Sequence, residues 1–251
     1  MTSARSLIVG LVVLVAIGIG GNVVYDQVLR GDAAPALALP SAVPGAAASN
    51  DAGTSSTPVI PAASAATFDG DVNGTWTVTA GSQAGYRVRE QLANLPAESD
   101  AVGRTDQVSG SIAVTSNGTI TTVTDGTLTL DTTSIASDES RRDNRMRGDG
   151  LQTDQFPTAT FTLTEPVDVP AAAVQGTPAD ITLVGDLTLH GVTKSVSIPA
   201  KAQLVNGQIQ VAGSVDIPLA DFAIVAPNVG GFIISIADQG ALEFVLVLEK
   251  G

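Results

Sequence analysis

The chain contains no cysteine in its 251 residues. Disulfides, thiolate metal sites and cysteine nucleophiles are thereby excluded, and an exported domain must hold together by packing alone. Histidine occurs once, as His190. Zinc sites usually draw on several His or Cys ligands, so no metal site is expected. Aromatics make up 4% of the chain against 44% apolar residues, which leaves Val, Leu, Ile and Ala to build the core. Basic residues are scarce too: 12 Lys and Arg face 25 Asp and Glu, a formal net charge of −13. Binding nucleic acid requires cationic groups that displace counterions from phosphates, so nucleic acid is not an expected partner. Uniform attraction to anionic lipid headgroups is disfavoured for the same reason. No phosphate loop or dinucleotide fingerprint occurs.

One long apolar run is present. From Leu7 to Val24 every residue is apolar or glycine except Asn22. These 18 residues would form a helix of about 27 Å, close to the hydrocarbon thickness of a bilayer. Residues 1–6 carry Arg5, and Asp26, Arg30 and Asp32 follow the run. The positive-inside rule puts residues 1–6 in the cytoplasm, makes 7–24 a single-pass anchor and places the rest outside the cell membrane. The alternative is secretion after signal cleavage. Against it stand the length of the run and the remote, proline-bearing small-residue site Ala34-Pro35-Ala36. Residues 25–66, rich in Ala, Pro, Ser and Thr, lack a period of 2 or 3.6 and are expected to form a disordered linker.

From residue 67 to 251 the chain alternates apolar and polar residues at the period of a strand. Trp76 with Val78, Tyr86 with Val88, and Val108, Gly110, Ile112 and Val114 each share a face. Leu128 with Leu130, Phe161 with Leu163, and Ile181, Leu183, Leu187 and Leu189 continue the pattern. Ile209, Val211, Val215 and Ile217 follow, then Phe232, Ile234 and Ile236, and finally Leu242, Phe244, Leu246 and Leu248. Asn117-Gly118, His190-Gly191 and Asn206-Gly207 accept the positive φ of two-residue hairpins. Consecutive hairpins predict an all-β, antiparallel barrel of about eight strands, since closure removes unpaired edges. The exception is Ser137–Gly148. Ser137 is a plausible N-cap and Gly148 a stop, and Asp138 and Arg142 stand at ion-pair spacing, so a short helix covering one end of the barrel is expected.

GTWTV at 74–78, SRRDNRMRGDGLQTDQFPTATFTL at 140–163 and GDLTLHGVTKSVSIP at 185–199 resemble the YceI-like family in order and spacing. The likeness extends over about residues 74–250, and the anchor-plus-linker arrangement is similar to that of actinobacterial members. The resemblance implies a lipocalin-like barrel that holds a polyisoprenoid-like chain, such as an isoprenoid quinone or polyprenyl phosphate, outside the cytoplasm. The family's first-strand His-Ser pair is replaced here, with Ser82-Gln83 and Glu90 at or near the expected histidine positions.

The residues expected to line the lumen and bind the ligand are Trp76, Tyr86, Val88, Ile112, Leu128, Phe161, Leu187, Leu189, Phe232, Ile234 and Phe244. Gly85, Gly110, Gly185 and Gly213 recur within strands, where they leave space or permit bends. A barrel of this size either fills with side chains or holds one small ligand. The competing expectation is therefore a solid-cored envelope module without a ligand. Arg141 and Arg142 are the candidate headgroup clamp. Arg145 and Arg147 bring the local cations to four, but Asp138, Glu139, Asp143 and Asp149 balance them, which favours an ion-paired surface helix. His190 sits beside Gly191 in a turn, so no Ser-His-Asp chemistry can be built on it. No catalytic residue and no cofactor other than a bound isoprenoid is expected. The partners are an apolar small molecule or lipid, and the membrane through the amino-terminal helix.

Overall fold

The computed structural model describes residues 33–40, 70–92, 98–225 and 233–251. The expected anchor, residues 7–24, and most of the linker lie outside the described residues. Among the described residues, no helix is long and apolar enough to cross a membrane.

The described residues form eleven strands: β1 Gly74–Val78, β2 Gln83–Leu92, β3 Ser99–Thr105, β4 Val108–Ser116, β5 Thr121–Asp131, β6 Thr158–Leu163, β7 Val167–Val169, β8 Ala179–Leu189, β9 Val192–Val205, β10 Gln208–Pro218 and β11 Ile233–Lys250. All pairings are antiparallel. β1 and β2 run in line along one side of β11, which pairs with both. β3 and β4 run in line beside them, and β6 and β7 share the far side of β5. The eleven strands thus make eight staves in an up-and-down order, and the ring closes where Trp76 on β1 meets Lys250 on β11. Closure gives every stave a partner on both sides over at least part of its length, the outcome expected of alternating strands joined by short hairpins.

The first stave survives its interruption because a side chain replaces the backbone. Between β1 and β2, the Ser82 hydroxyl accepts from the Val247 amide at 2.9 Å and donates to the Val247 carbonyl at 3.2 Å. Ser82 is 2% exposed, so both bonds are shielded from water.

Turn chemistry follows the sequence in two of three places. His190 and Gly191 have φ of 52° and 74°, and Asn206 and Gly207 have 53° and 75°, joining β8 to β9 and β9 to β10 through the mirror-image turn. Asn117-Gly118 departs from expectation. The β4–β5 loop spans 117–120, and Asn117 Oδ1 accepts from the amides of Thr119 and Ile120 at 3.0 and 2.9 Å. The Asn side chain caps the loop in place of a two-residue turn.

The expected helix is shorter at its start and wider at its end. Its α-helical part is Ser140–Arg145, and its N-cap is Glu139, whose side chain accepts from the Arg141 amide. Ser137 instead donates its amide and hydroxyl to Asp143 Oδ1, at 2.9 and 2.6 Å. The chain continues through Gly148 into a π-helical turn, Met146–Gly150, closed by Leu151 N–H on Met146 C=O. A second single-turn helix, Ala171–Val174, had no periodic signal.

Within the expected linker, residues 36–40 pack on the barrel. Ala36–Pro40 alternates exposed and half-buried, with Leu37 and Leu39 turned inward. The Leu37 amide donates to Glu243 Oε2 at 3.3 Å, and Gln203 Nε2 donates to the Pro40 carbonyl at 3.4 Å. The segment therefore straps the outer wall from β11 to β9. Five residues are too few to show a period within an Ala/Pro-rich stretch.

Candidate functional site

The interior is two apolar clusters stacked along the barrel axis. The first gathers Val72, Trp76, Val114, Val167, Ile181, Ala200, Ala202, Val211, Leu246 and Leu248. The second gathers Tyr86, Ile135, Leu151, Ala159, Leu187, Leu189, Ile217, Phe222 and Ile224. Trp76 and Leu248 are fully buried, and the Trp76 indole N–H donates to the Val72 carbonyl at 2.9 Å, which satisfies its only polar atom.

A cavity of about 90 Å³ lies within the first cluster. Ile112, Val114, Val123, Leu128, Phe161, Leu163, Ile181, Leu183, Ile209, Val211, Leu246 and Leu248 form its wall, and Ala173 and Val174 of the single-turn helix cover one end. The space exceeds that needed for a water molecule, yet the site offers water few hydrogen-bond partners; apolar voids of about 150 Å³ stay dry and admit a benzene ring. Whole-ligand pockets are larger, about 300–1,000 Å³. The void therefore has room for a small apolar group, and a long chain needs the interior to rearrange.

Of the expected lumen residues, Ile112, Leu128 and Phe161 line this cavity. Trp76 and Phe244 pack in the cluster around it, while Tyr86, Val88, Leu187 and Leu189 belong to the second cluster. Phe232 lies outside the described residues, as does the side chain of Ile234. Val123, Leu163, Ile181, Leu183, Ile209 and Val211 also line the void, and their alternation was the available signal; what alternation cannot show is at which height along the axis the void falls.

Two glycines expected to leave space are already occupied. A Cβ on Gly185 would lie 2.5 Å from the Phe161 ring and 2.4 Å from the Thr162 carbonyl, and one on Gly213 would lie 2.8 Å from Phe244. Both rings lie across the glycine of a neighbouring strand, so these glycines make room for aromatic side chains. A Cβ on Gly103 would likewise meet Tyr86, at 2.5 Å.

Polar groups collect at the second cluster's end. Tyr86, Val88 and Glu90 share one face of β2 and point inward. Glu90 is 4% exposed and pairs with Arg142 Nη2 at 2.8 Å, and Arg142 also holds Asp138. The pair ties the helix Ser140–Arg145 to the barrel. Arg142 is thus engaged by carboxylates, while Arg141 is exposed on the helix. The Tyr86 hydroxyl is buried without a hydrogen-bond partner among the described residues. Burial pushes its pKa up to about 12, with Arg142 nearby opposing the shift and the carboxylates of Asp143, Glu90 and Asp138 adding to it. His190 Nδ1 bonds the Phe222 carbonyl at 3.0 Å, and its ring meets Phe156 edge-on at 4.5 Å. No cluster of three or more potential metal ligands exists among the described residues.

The model of the YceI-like domain matches residues 61–248. The chain belongs to the YceI-like family. Over 75 residues it is 40% identical to protein YceI of Escherichia coli and 44% identical to a UPF0312 protein of Pseudomonas aeruginosa, stretches covering 30% of this chain and 35% of each relative. The aligned part therefore spans about a third of those relatives. The fold is similar to a polyisoprenoid-binding domain from Saccharophagus degradans, with a TM-score of 0.54 and 23% identity over 70% of this chain and 98% of that one. Burkholderia cenocepacia BcnA gives 0.52 and 21% over 68% and 98%. At these identities the likeness shows the fold alone.

Proposed function

We propose that the protein binds an isoprenoid-like apolar chain inside the barrel, outside the cytoplasm and next to the membrane that anchors it. The observation that carries this reading is the apolar void on the axis of a closed eight-stave wall. Burial of each CH₂ is worth about 0.8 kcal/mol, so a hydrocarbon tail gains affinity along its length without specific hydrogen bonds. The Saccharophagus degradans domain of similar fold, described as polyisoprenoid-binding, supports the same ligand class. The uncharged run Leu7–Val24 supports the anchor, and Arg141, exposed on the helix that Arg142 ties to the barrel, is a cation that a headgroup would meet. Binding is the activity this reading assigns, and His190 Nδ1 is engaged by the Phe222 carbonyl.

Organic extraction of the purified full-length chain, followed by lipid mass spectrometry, tests the reading. A co-purifying isoprenoid is the expected result, and Ala173→Leu, which fills the void from the short helix, should diminish it. A chain that emerges empty and takes up no fluorescent C20 prenyl alcohol leaves the solid-cored envelope module as the explanation.

A further inference from the structure

The barrel wall is not paired along its whole height. β9 pairs with β8 from Val192 to Ala202, but with β10 only from Ala200 to Val205. β10 in turn pairs with β11 from Gln208 to Pro218, but with β9 only from Gln208 to Gly213. Val192–Pro199 on β9 and Ser214–Pro218 on β10 therefore face each other without ladder hydrogen bonds. Pro199 sits where this split begins, and having no N–H it has no ladder bond to donate.

The segment after β10 fills the split. Leu219–Phe222 makes a 3₁₀ turn, Ala223 takes a left-handed φ of 54°, and the Ile224 amide returns to the Leu219 carbonyl at 3.1 Å. Phe222 is 1% exposed and Ile224 is 7%, and both belong to the cluster that gathers Val192 and Val196 of β9, Val215 and Ile217 of β10, and Leu189 at the end of β8. The plug is held by one bond from the opposite side, His190 Nδ1 to the Phe222 carbonyl. His190 reaches it because its left-handed turn with Gly191 carries the ring inward. The second ring nitrogen, Nε2, is buried without a partner among the described residues.

We propose that Phe222–Ile224 is a removable plug in a lateral portal between β9 and β10, through which an apolar chain slides into the barrel. The inference rests on the lipid-binding reading and deepens it. The void near Phe161 is too small for a long tail, and the second cluster is filled partly by residues that are not strand residues at all. Withdrawal of Phe222 and Ile224 breaks no interstrand ladder and vacates apolar space beside Phe161, which packs against the second cluster and lines the void. The described arrangement is then the one with the plug seated. The exposed Val225, which immediately follows the plug, is 74% accessible and gives an incoming apolar chain a first contact at the portal.

Hydrogen exchange on the full-length chain, with and without a fluorescent C20 prenyl alcohol, tests the proposal. Probe binding should speed exchange at the Ala223 and Ile224 amides at least about tenfold while the β8–β9 ladder stays protected. Phe222→Ala should raise the probe's association rate at least about tenfold, and His190→Gln, which weakens the latch while leaving the plug's own side chains in place, should raise it less. Probe that binds while residues 219–224 keep their protection overturns the portal and leaves the lipid-binding reading standing. Failure of the probe to bind in wild type and variants alike overturns both.

Discussion

Tyr86 has a ring that fits, because Gly103 opposite it has no side chain, and a hydroxyl that bonds nothing among the described residues. A buried hydroxyl without a partner forfeits its hydration, so Tyr86→Phe is expected to be neutral or to stabilise the fold by up to about 1 kcal/mol at neutral pH. The alkaline limb separates the two proteins more sharply. Folding raises the Tyr86 pKa from 10.0 to about 12, so the native state retains a proton that the unfolded chain releases. Stability relative to the Phe variant is complete below pH 10 and falls by about 2–3 kcal/mol as pH rises through 12, which urea unfolding at pH 7, 10 and 12 measures. Glu90 poses the opposite problem, being a carboxylate that is 4% exposed and has Arg142 beside it. Arg142→Ala strands that charge and should cost about 2–4 kcal/mol, with Arg142→Ala/Glu90→Gln recovering at least half of it; equal losses in the two variants would mean that the charge itself is not the cost.

At the scale of elements, the sequence showed the faces of strands better than their connections. Alternation revealed most of the strands because each presents one row to the interior and one outward, and glycine marked the two hairpin turns, 190–191 and 206–207, in which both central residues have positive φ. It did not reveal β3, Ser99–Thr105, whose inward row is Ser99, Ala101, Gly103 and Thr105 and carries no large apolar residue. Nor could it reveal the strap Ala36–Pro40, whose partners are Glu243 and Gln203, more than 160 positions away. Glu243 itself is 3% exposed although it points outward, with Arg104 on Oε1 at 2.6 Å and the Leu37 amide on Oε2. The paired substitution Leu37→Asp/Leu39→Asp should release the strap at a cost of about 1–2 kcal/mol, since two half-buried side chains and two hydrogen bonds are lost. Cysteine is absent from the native chain, so a spin label at Ala38→Cys and another at Lys201→Cys report the change cleanly. The narrow distance distribution expected of the strapped chain should broaden and move to longer distances in the variant.

For the molecule as a whole, the decisive quantity is the room inside. Composition suggested a hollow barrel because aromatics are few and glycines recur within strands. Aromatics, however, are placed against those glycines: Phe161 lies across Gly185 and lines a void of about 90 Å³, and Phe244 lies across Gly213 in the cluster around it. Sequence spacing shows that Phe161 points inward but not that its ring spans the boundary between the two clusters. Phe161→Ala removes that boundary. The unliganded variant should lose about 2–4 kcal/mol of stability, below the cost of deleting a fully buried phenyl ring because Phe161 is half-buried. Its larger void should nevertheless hold a C20 prenyl alcohol at least about tenfold more tightly than the wild type, because less protein has to be displaced before the chain is buried. Ligand at a hundredfold excess over Kd would then return about 2.7 kcal/mol of the lost stability, visible as a rise in Tm on titration. Stability and affinity moving in opposite directions distinguishes a lumen that binds from a core that only supports the fold: in a solid core the same substitution lowers stability, and no prenyl chain restores it.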